Sequence, residues 1–123
     1  MGQQTFRQRL GQRSERIAAD YLRSHGYAIL QTNVRFPVGE IDILAQEGET
    51  LCFVEVRATS SLAWGGPLAT VTTPKQRRLI RAARWYLQQL DRLPRYCRFD
   101  VLAVSWAEAT PAIELIQGAF DAS

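Results

Sequence analysis

Two acids, Asp42 and Glu55, flank Gly48-Glu49, a dipeptide that fits a two-residue type II′ turn because glycine takes the positive φ of its first position. Each acid lies six residues from the nearer turn residue, so the turn sets them opposite one another, with Glu40 opposite Arg57 and Leu44 opposite Phe53. In that register the acids form a non-hydrogen-bonded pair, where opposed Cα atoms approach to about 4.5 Å. Two carboxylates about 5 Å apart repel by roughly 1 kcal/mol at water's dielectric and about 3 kcal/mol at an effective value near 20, so a directly opposed pair is ordinarily avoided. A divalent cation removes that repulsion. Magnesium takes one or two carboxylates plus water and phosphate oxygens at about 2.0–2.1 Å, a demand this pair can meet. A solvated pair compensated by a diagonal salt bridge to Arg57 fits the same spacing, and spacing alone leaves both readings open.

Other residue types narrow the chemistry. Glu15 falls one turn before Ala18 and two before Leu22 on a helical pattern, which puts an acid on a partly buried face. Fourteen of the fifteen basic residues are arginine, whose planar fork matches phosphate oxygens, and they gather in two segments. Arg7, Arg9, Arg13, Arg16 and Arg23 come early; Arg77, Arg78, Arg81 and Arg84 come later. The sole lysine, Lys75, stands in the first turn of a predicted helix, where the macrodipole disfavours a cation. His25 sits near a helix C-terminus and suits the dipole there, and no Ser-His-Asp or Cys-His arrangement is suggested. Cys52 and Cys97 lack metal or redox spacing and read as two small buried thiols. Trp64, Trp85 and Trp106 read as core or loop anchors, with Trp64 beside Gly65-Gly66 open to exposure.

The elements that must position these residues follow from periodicity. A first helix is predicted from about Gln12, or earlier, to Ser24, with Gly26 ending it. Strands are predicted over Tyr27 to Thr32, Glu40 to Glu47, Thr50 to Arg57, Arg98 to Ser105 and Ala112 to Ile116. On the hairpin, Ile41, Ile43, Ala45, Cys52, Val54 and Val56 point away from the acids and form its apolar surface. A second helix is expected to start at Thr73-Pro74-Lys75-Gln76, with threonine as N-cap and glutamine completing a capping box. Leu79, Ile80, Ala83, Leu87 and Leu90 then face the core, while Arg77, Arg81, Arg84 and Gln88 line the outer face. Ala58 to Thr72 shows no clear period and reads as a long loop of functional length. The expected order is α-β-β-β-α-β-β, an α/β fold in one domain over residues 1–123.

A chain of 123 residues at 46% hydrophobic content can bury one core without staples. It shows neither an apolar run of membrane-spanning length nor the apolar stretch of a signal peptide, so a cytoplasmic location without membrane attachment is expected. The formal charge of +3 makes an anionic partner plausible.

Taken together, Ser14-Glu15-Arg16-Ile17-Ala18, Gly39-Glu40-Ile41-Asp42, Phe53-Val54-Glu55-Val56-Arg57, Lys75 and Arg98-Phe99-Asp100 resemble the YraN-like family of bacterial proteins over nearly the whole chain. That family is similar to the PD-(D/E)xK nucleases and to archaeal Holliday junction resolvases. The resemblance implies a restriction-endonuclease-like core, a mixed sheet flanked by helices. It makes Asp42 and Glu55 ligands of Mg²⁺ or Mn²⁺ and brings Glu15 to the site as a further acid. Arg57 stands where the superfamily has lysine, and Ala58-Thr59 lacks a basic residue common in relatives. Arginine stays charged and only orients groups or stabilises negative charge, so Lys75 is the candidate to substitute. Arg98 and Asp100 read as a strand-end ion pair, and Glu40 as a residue behind the ligands.

The leading expectation is a metal-dependent phosphodiesterase on DNA, branched or junction DNA included, with Glu15, Asp42, Glu55, Arg57 and Lys75 at its centre. Arg13, Arg16, Arg77, Arg81 and Arg84 are the expected nucleic-acid contacts, and a homodimer is what the likeness to resolvases implies. The competing readings are a nuclease-derived module that binds nucleic acid without cutting it, and a protein-interaction scaffold.

Overall fold

The computed structural model describes residues 4–59 and 66–122, so Trp64 and the rest of 60–65 within the predicted 58–72 loop lie outside the described residues. In chain order the elements are α1 (Phe6–Ser24), β1 (Ala28–Phe36), β2 (Gly39–Glu47), β3 (Thr50–Thr59), a 3₁₀ turn (Pro67–Thr70), α2 (Thr73–Gln88), β4 (Tyr96–Ser105) and β5 (Ala112–Phe120). The strands form one five-stranded sheet in the order β1-β2-β3-β4-β5. β3 and β4 are parallel, joined through α2, and the other neighbours are antiparallel. The expected α/β class and element order therefore hold.

One helix covers each face of the sheet. Cys52 and Val54 of β3, with Ile43 and Ala45 of β2, pack against Ala18, Ala19 and Leu22 of α1. Leu51 and Phe53, with Leu44, pack against Leu79, Ala82 and Ala83 of α2. The alternation along β3 thus feeds two cores rather than one core and one wet surface, so the central strand is apolar on both faces. Phe53 is fully buried between Phe99, stacked at 5.5 Å, and the edge of Tyr86 at 6.3 Å.

α1 takes the earlier start the pattern left open, at Phe6, because Thr5 caps it: the Gln8 N–H donates to Thr5 Oγ1 at 3.1 Å, and the Thr5 N–H donates to Gln8 Oε1 at 2.9 Å. Three expectations need correction. α2 is capped one residue earlier than predicted, at Thr72, whose side chain makes no capping bond. Gln76 reaches back instead to the Val71 carbonyl at 3.0 Å, so the predicted box does not form. Ile41 leaves the Ile43 side and joins the core under α2 with Leu44, Val34 and Phe36, because regular alternation stops at Asp42, where β2 and β3 part. Cys97 is exposed, although Cys52 is buried as expected. The strands run further than the apolar pattern alone implied, most of all β1, which continues from Thr32 to Phe36, and β5, which continues from Ile116 to Phe120.

The end of the sheet remote from Asp42 is tied by a buried polar cluster. Arg98 Nε donates to Asp100 Oδ1 at 2.8 Å, and its Nη2 donates to Tyr27 Oη at 2.8 Å and to Glu47 Oε1 at 3.0 Å. Asp100 is fully buried and also accepts from the Gly118 N–H at 3.0 Å, so the expected ion pair is the centre of a larger bonded network. Burial pushes the Tyr27 hydroxyl up to about 12, which keeps it neutral inside that network.

Candidate functional site

The β2–β3 hairpin turns as its residues dictate. Gly48 has φ +58, Glu47 pairs with Thr50, and Leu44 pairs with Phe53. Regular pairing reaches Ile43–Val54, and the next step brings Asp42 and Glu55 opposite each other. There the ladder gives way to a side chain: Asp42 Oδ2 accepts the Val56 N–H at 2.9 Å. Both side chains border the same two clefts, so the acids meet as the turn requires.

The pair is expensive in its surroundings. Burial, and then the Glu55 charge, push Asp42 up to about 8 against the opposing Val56 N–H, with Glu15 and Glu40 adding to the rise. Burial also raises Glu55, while Arg57, Asp42 and Lys75 pull it back. Both carboxyls are therefore harder to ionise here than in water.

Arg57 answers this charge incompletely. Its Nη1 lies 3.8 Å from Glu55 Oε1, a loose contact, and its buried Nε–H has no partner among the described residues. The contact runs along β3 to Glu55 and is not the diagonal salt bridge expected across the hairpin, and it leaves an unmade guanidinium bond beside the acids. Lys75 is in the first turn of α2, with Nζ 3.5 Å from the Thr70 carbonyl. Its pKa is lowered by burial and by Arg57 and Arg78, with Glu55 opposing.

Glu15 approaches from α1, half-buried, its pKa raised chiefly by burial and lowered by a bond from the Asn33 side chain. Asn33 was not among the predicted residues, because the polar run Gln31-Thr32-Asn33 reads as the end of a strand. It is the one non-glycine residue with positive φ among the described residues, at +53. Since Thr32 pairs with Ile43 and Val34 with Ile41, Asn33, Asp42 and Glu55 stand level across three strands. The available signal was residue type, since asparagine tolerates left-handed backbone far better than β-branched neighbours do.

The acid pair borders two clefts. One, of about 550 Å³, opens on the α2 side and is lined by Arg35, Glu40, Arg57, Lys75 and Arg78 as well as the pair. The other, of about 320 Å³, opens on the α1 side with Arg7, Gly11, Ser14, Glu15 and Arg57. All five residues predicted for the centre thus converge. The predicted arginine contacts do not: Arg13, Arg16, Arg77, Arg81 and Arg84 are exposed and line neither cleft. The Arg13 guanidinium lies over Trp106, 4.9 Å from the ring centroid, and Arg84 donates to the Ala122 carbonyl at 3.3 Å. Trp106 is anchored, its Nε1 donating to the buried Ser14 hydroxyl at 2.8 Å, whereas Trp85 is exposed and touches Phe36.

Among the described residues no group of three or more His, Cys, Asp or Glu side chains gathers closely enough to hold a metal by itself. The two-carboxylate donor set still fits magnesium or manganese, which complete their shell with water and phosphate and would relieve the repulsion between the acids.

The family model described as "Uncharacterised protein family UPF0102" matches residues 14–104, a span that includes Glu15, Asp42, Glu55, Arg57 and Lys75. A UPF0102 protein of Desulfosudis oleivorans is 43% identical over 117 residues, covering 95% of this chain and 94% of that one. One from Moorella thermoacetica is 46% identical over 117 residues, with 93% and 97% covered. One from Chlorobium chlorochromatii is 50% identical over 100 residues, with 78% and 74% covered.

Proposed function

We propose that this chain, which belongs to the uncharacterised protein family UPF0102, is a divalent-metal-dependent phosphodiesterase acting on DNA, branched or junction DNA included. The observation that carries the reading is the half-buried Asp42–Glu55 pair, whose pKa values stay raised although Arg57 and Lys75 face it in the same cleft. Two desolvated acids on one rigid hairpin are a costly feature for a structural surface and an ordinary one for a site that binds a cation. Mg²⁺ or Mn²⁺ held by Asp42 and Glu55 would polarise the phosphate and activate water.

The remaining work falls to the chain's own groups. Arg57 lines both clefts, where its guanidinium would meet a phosphate oxygen and stabilise developing negative charge. Lys75 stands within the field of Glu55 at the rim of the cleft, which suits a group that orients water or phosphate. Glu15 adds negative charge from the α1 side and strengthens cation binding.

Arginine in place of lysine at position 57 favours a second reading, a module that binds nucleic acid without cutting it. One experiment separates the two. Purified protein is incubated with branched, duplex and single-stranded DNA in Mg²⁺, Mn²⁺ or chelator. Metal-dependent cleavage is expected, lost in Asp42→Asn while binding survives, and retained or raised in Arg57→Lys. No cleavage of any substrate by parent or Arg57→Lys, with binding intact, leaves the binding module. Absence of binding at low salt as well leaves only the scaffold.

A further inference from the structure

The two clefts that share Asp42 and Glu55 differ in charge. The α2-side cleft brings together Arg35, Arg57, Lys75 and Arg78 around the pair and Glu40, whereas the α1-side cleft carries Arg7, Arg57 and Glu15. Arg78 is one turn from Lys75 on α2, so both side chains lie over the same edge of the cleft. Among the described residues Arg78 forms no ion pair, and Arg35 is engaged only loosely, with Nε 3.8 Å from Glu40 Oε2. A concave surface with four cations, two of them on one helix turn, attracts a polyanion into the cleft rather than across it.

α2 is also held firmly there. A Cβ placed on Gly39 would come within 2.8 Å of the Arg78 carbonyl oxygen, so the helix backbone presses on the start of β2 at the residue that carries this guanidinium. Arg78 is thus mounted on a rigid contact, while Arg77, Arg81 and Arg84 point to the outer face and do not line the cleft.

We propose that Arg78 and Arg35 form a subsite for a backbone phosphate of nucleic acid next to the one bound at the carboxylate pair, so that the strand enters by the α2-side cleft. This rests on the nucleic-acid reading given above but not on cleavage. The substrate side and the Glu15 side of the pair are then distinct: the phosphodiester chain occupies the cationic cleft, and the α1-side cleft is left for water and cation.

The test uses a probe too short to reach the outer arginines at the same time: dithymidylate phosphorylated at both ends, titrated in chelator and followed by amide chemical shifts. Shifts are expected at residues lining the α2-side cleft. Arg78→Ala should weaken binding about tenfold, Arg78→Lys by less, and Arg81→Ala, one turn further along α2, by less than about twofold. Inorganic phosphate should bind at least tenfold more weakly than the dinucleotide. Circular dichroism and melting of each variant show that the fold is retained. Equal weakening by Arg78→Ala and Arg81→Ala, or none by Arg78→Ala, overturns the subsite, as does a parent that does not bind the probe. Equal affinity for inorganic phosphate overturns the assignment to a backbone. Loss of binding in Arg78→Ala beside a parent that never cleaves DNA keeps the subsite and removes only the nuclease.

Discussion

Asp42 sits where an ionised carboxylate is costly, and that cost has a pH signature in the metal-free chain. Its folded pKa of about 8 lies above the ordinary 3.8, so between those values the folded chain keeps a proton that the unfolded chain has released, and stability falls as pH rises. A proton bound tenfold tighter in the folded state corresponds to about 1.4 kcal/mol, or roughly 5 °C in melting temperature for a small domain. In chelator, the parent is expected to lose at least that much from about pH 5 to pH 8, and Asp42→Asn, which has no proton to lose, distinctly less. Melting curves across that range check it; parallel curves would mean that Asp42 is not strained in this way. The opposition of Asp42 and Glu55 was legible in the sequence because a two-residue turn counts residues outward from itself. Asn33 and the unpartnered Nε of Arg57 were not, since one depends on a left-handed φ inside a strand and the other on what three elements leave unfilled around a guanidinium.

At the scale of elements, Gly39 decides where α2 can lie. The helix backbone at Arg78 and the Ala82 methyl meet β2 at a residue without a side chain, which brings Lys75 to the acids. Gly39→Ala forces the two backbones apart, and overpacking of this kind costs about 1–3 kcal/mol. Gly11 offers the contrast, since a Cβ there meets nothing within 4 Å on a helix, and Gly11→Ala is expected to stabilise by about 0.4–1 kcal/mol. Urea unfolding of both variants measures the difference; a neutral Gly39→Ala would show that α2 can shift without cost. Element order and the strands were readable from apolar runs bounded by turns. The helix starts were not, because Thr5-x-x-Gln8 precedes any apolar period, and two consecutive threonines before Pro74 left the cap of α2 ambiguous. Ile41 escaped for a related reason: alternation predicts faces only while a ladder stays regular, and Asp42 interrupts this one.

For the whole molecule, the decisive fact is that α1 and α2 lie on opposite faces of the sheet. Arg13 and Arg16 therefore look away from Arg77, Arg81 and Arg84, with two helices of about 10–12 Å diameter and a sheet between them. One straight duplex cannot lie along both faces at once, so the arginines expected to act as a single set form two. The α2 set lies on the outer face of the helix that carries Lys75 and Arg78 of the cationic cleft, and is the one a bound duplex should use. Each phosphate contact contributes about 0.9 to the slope of log affinity against log salt, so removing three would flatten that slope by nearly 3. Arg84 already donates to the Ala122 carbonyl, which leaves Arg77 and Arg81 as the readily available pair and sets the expected change closer to 2. Arg13 is held over Trp106, so Arg13→Ala with Arg16→Ala should change the slope by less than about 1. Fluorescence anisotropy of a labelled duplex over a salt series, in chelator, reads both variants against the parent. Unchanged slope in the α2 triple variant would make that stripe a solvated face and confine phosphate recognition to the cleft. An equal loss from the α1 pair would require DNA that bends around the domain or two chains that clasp it from either side.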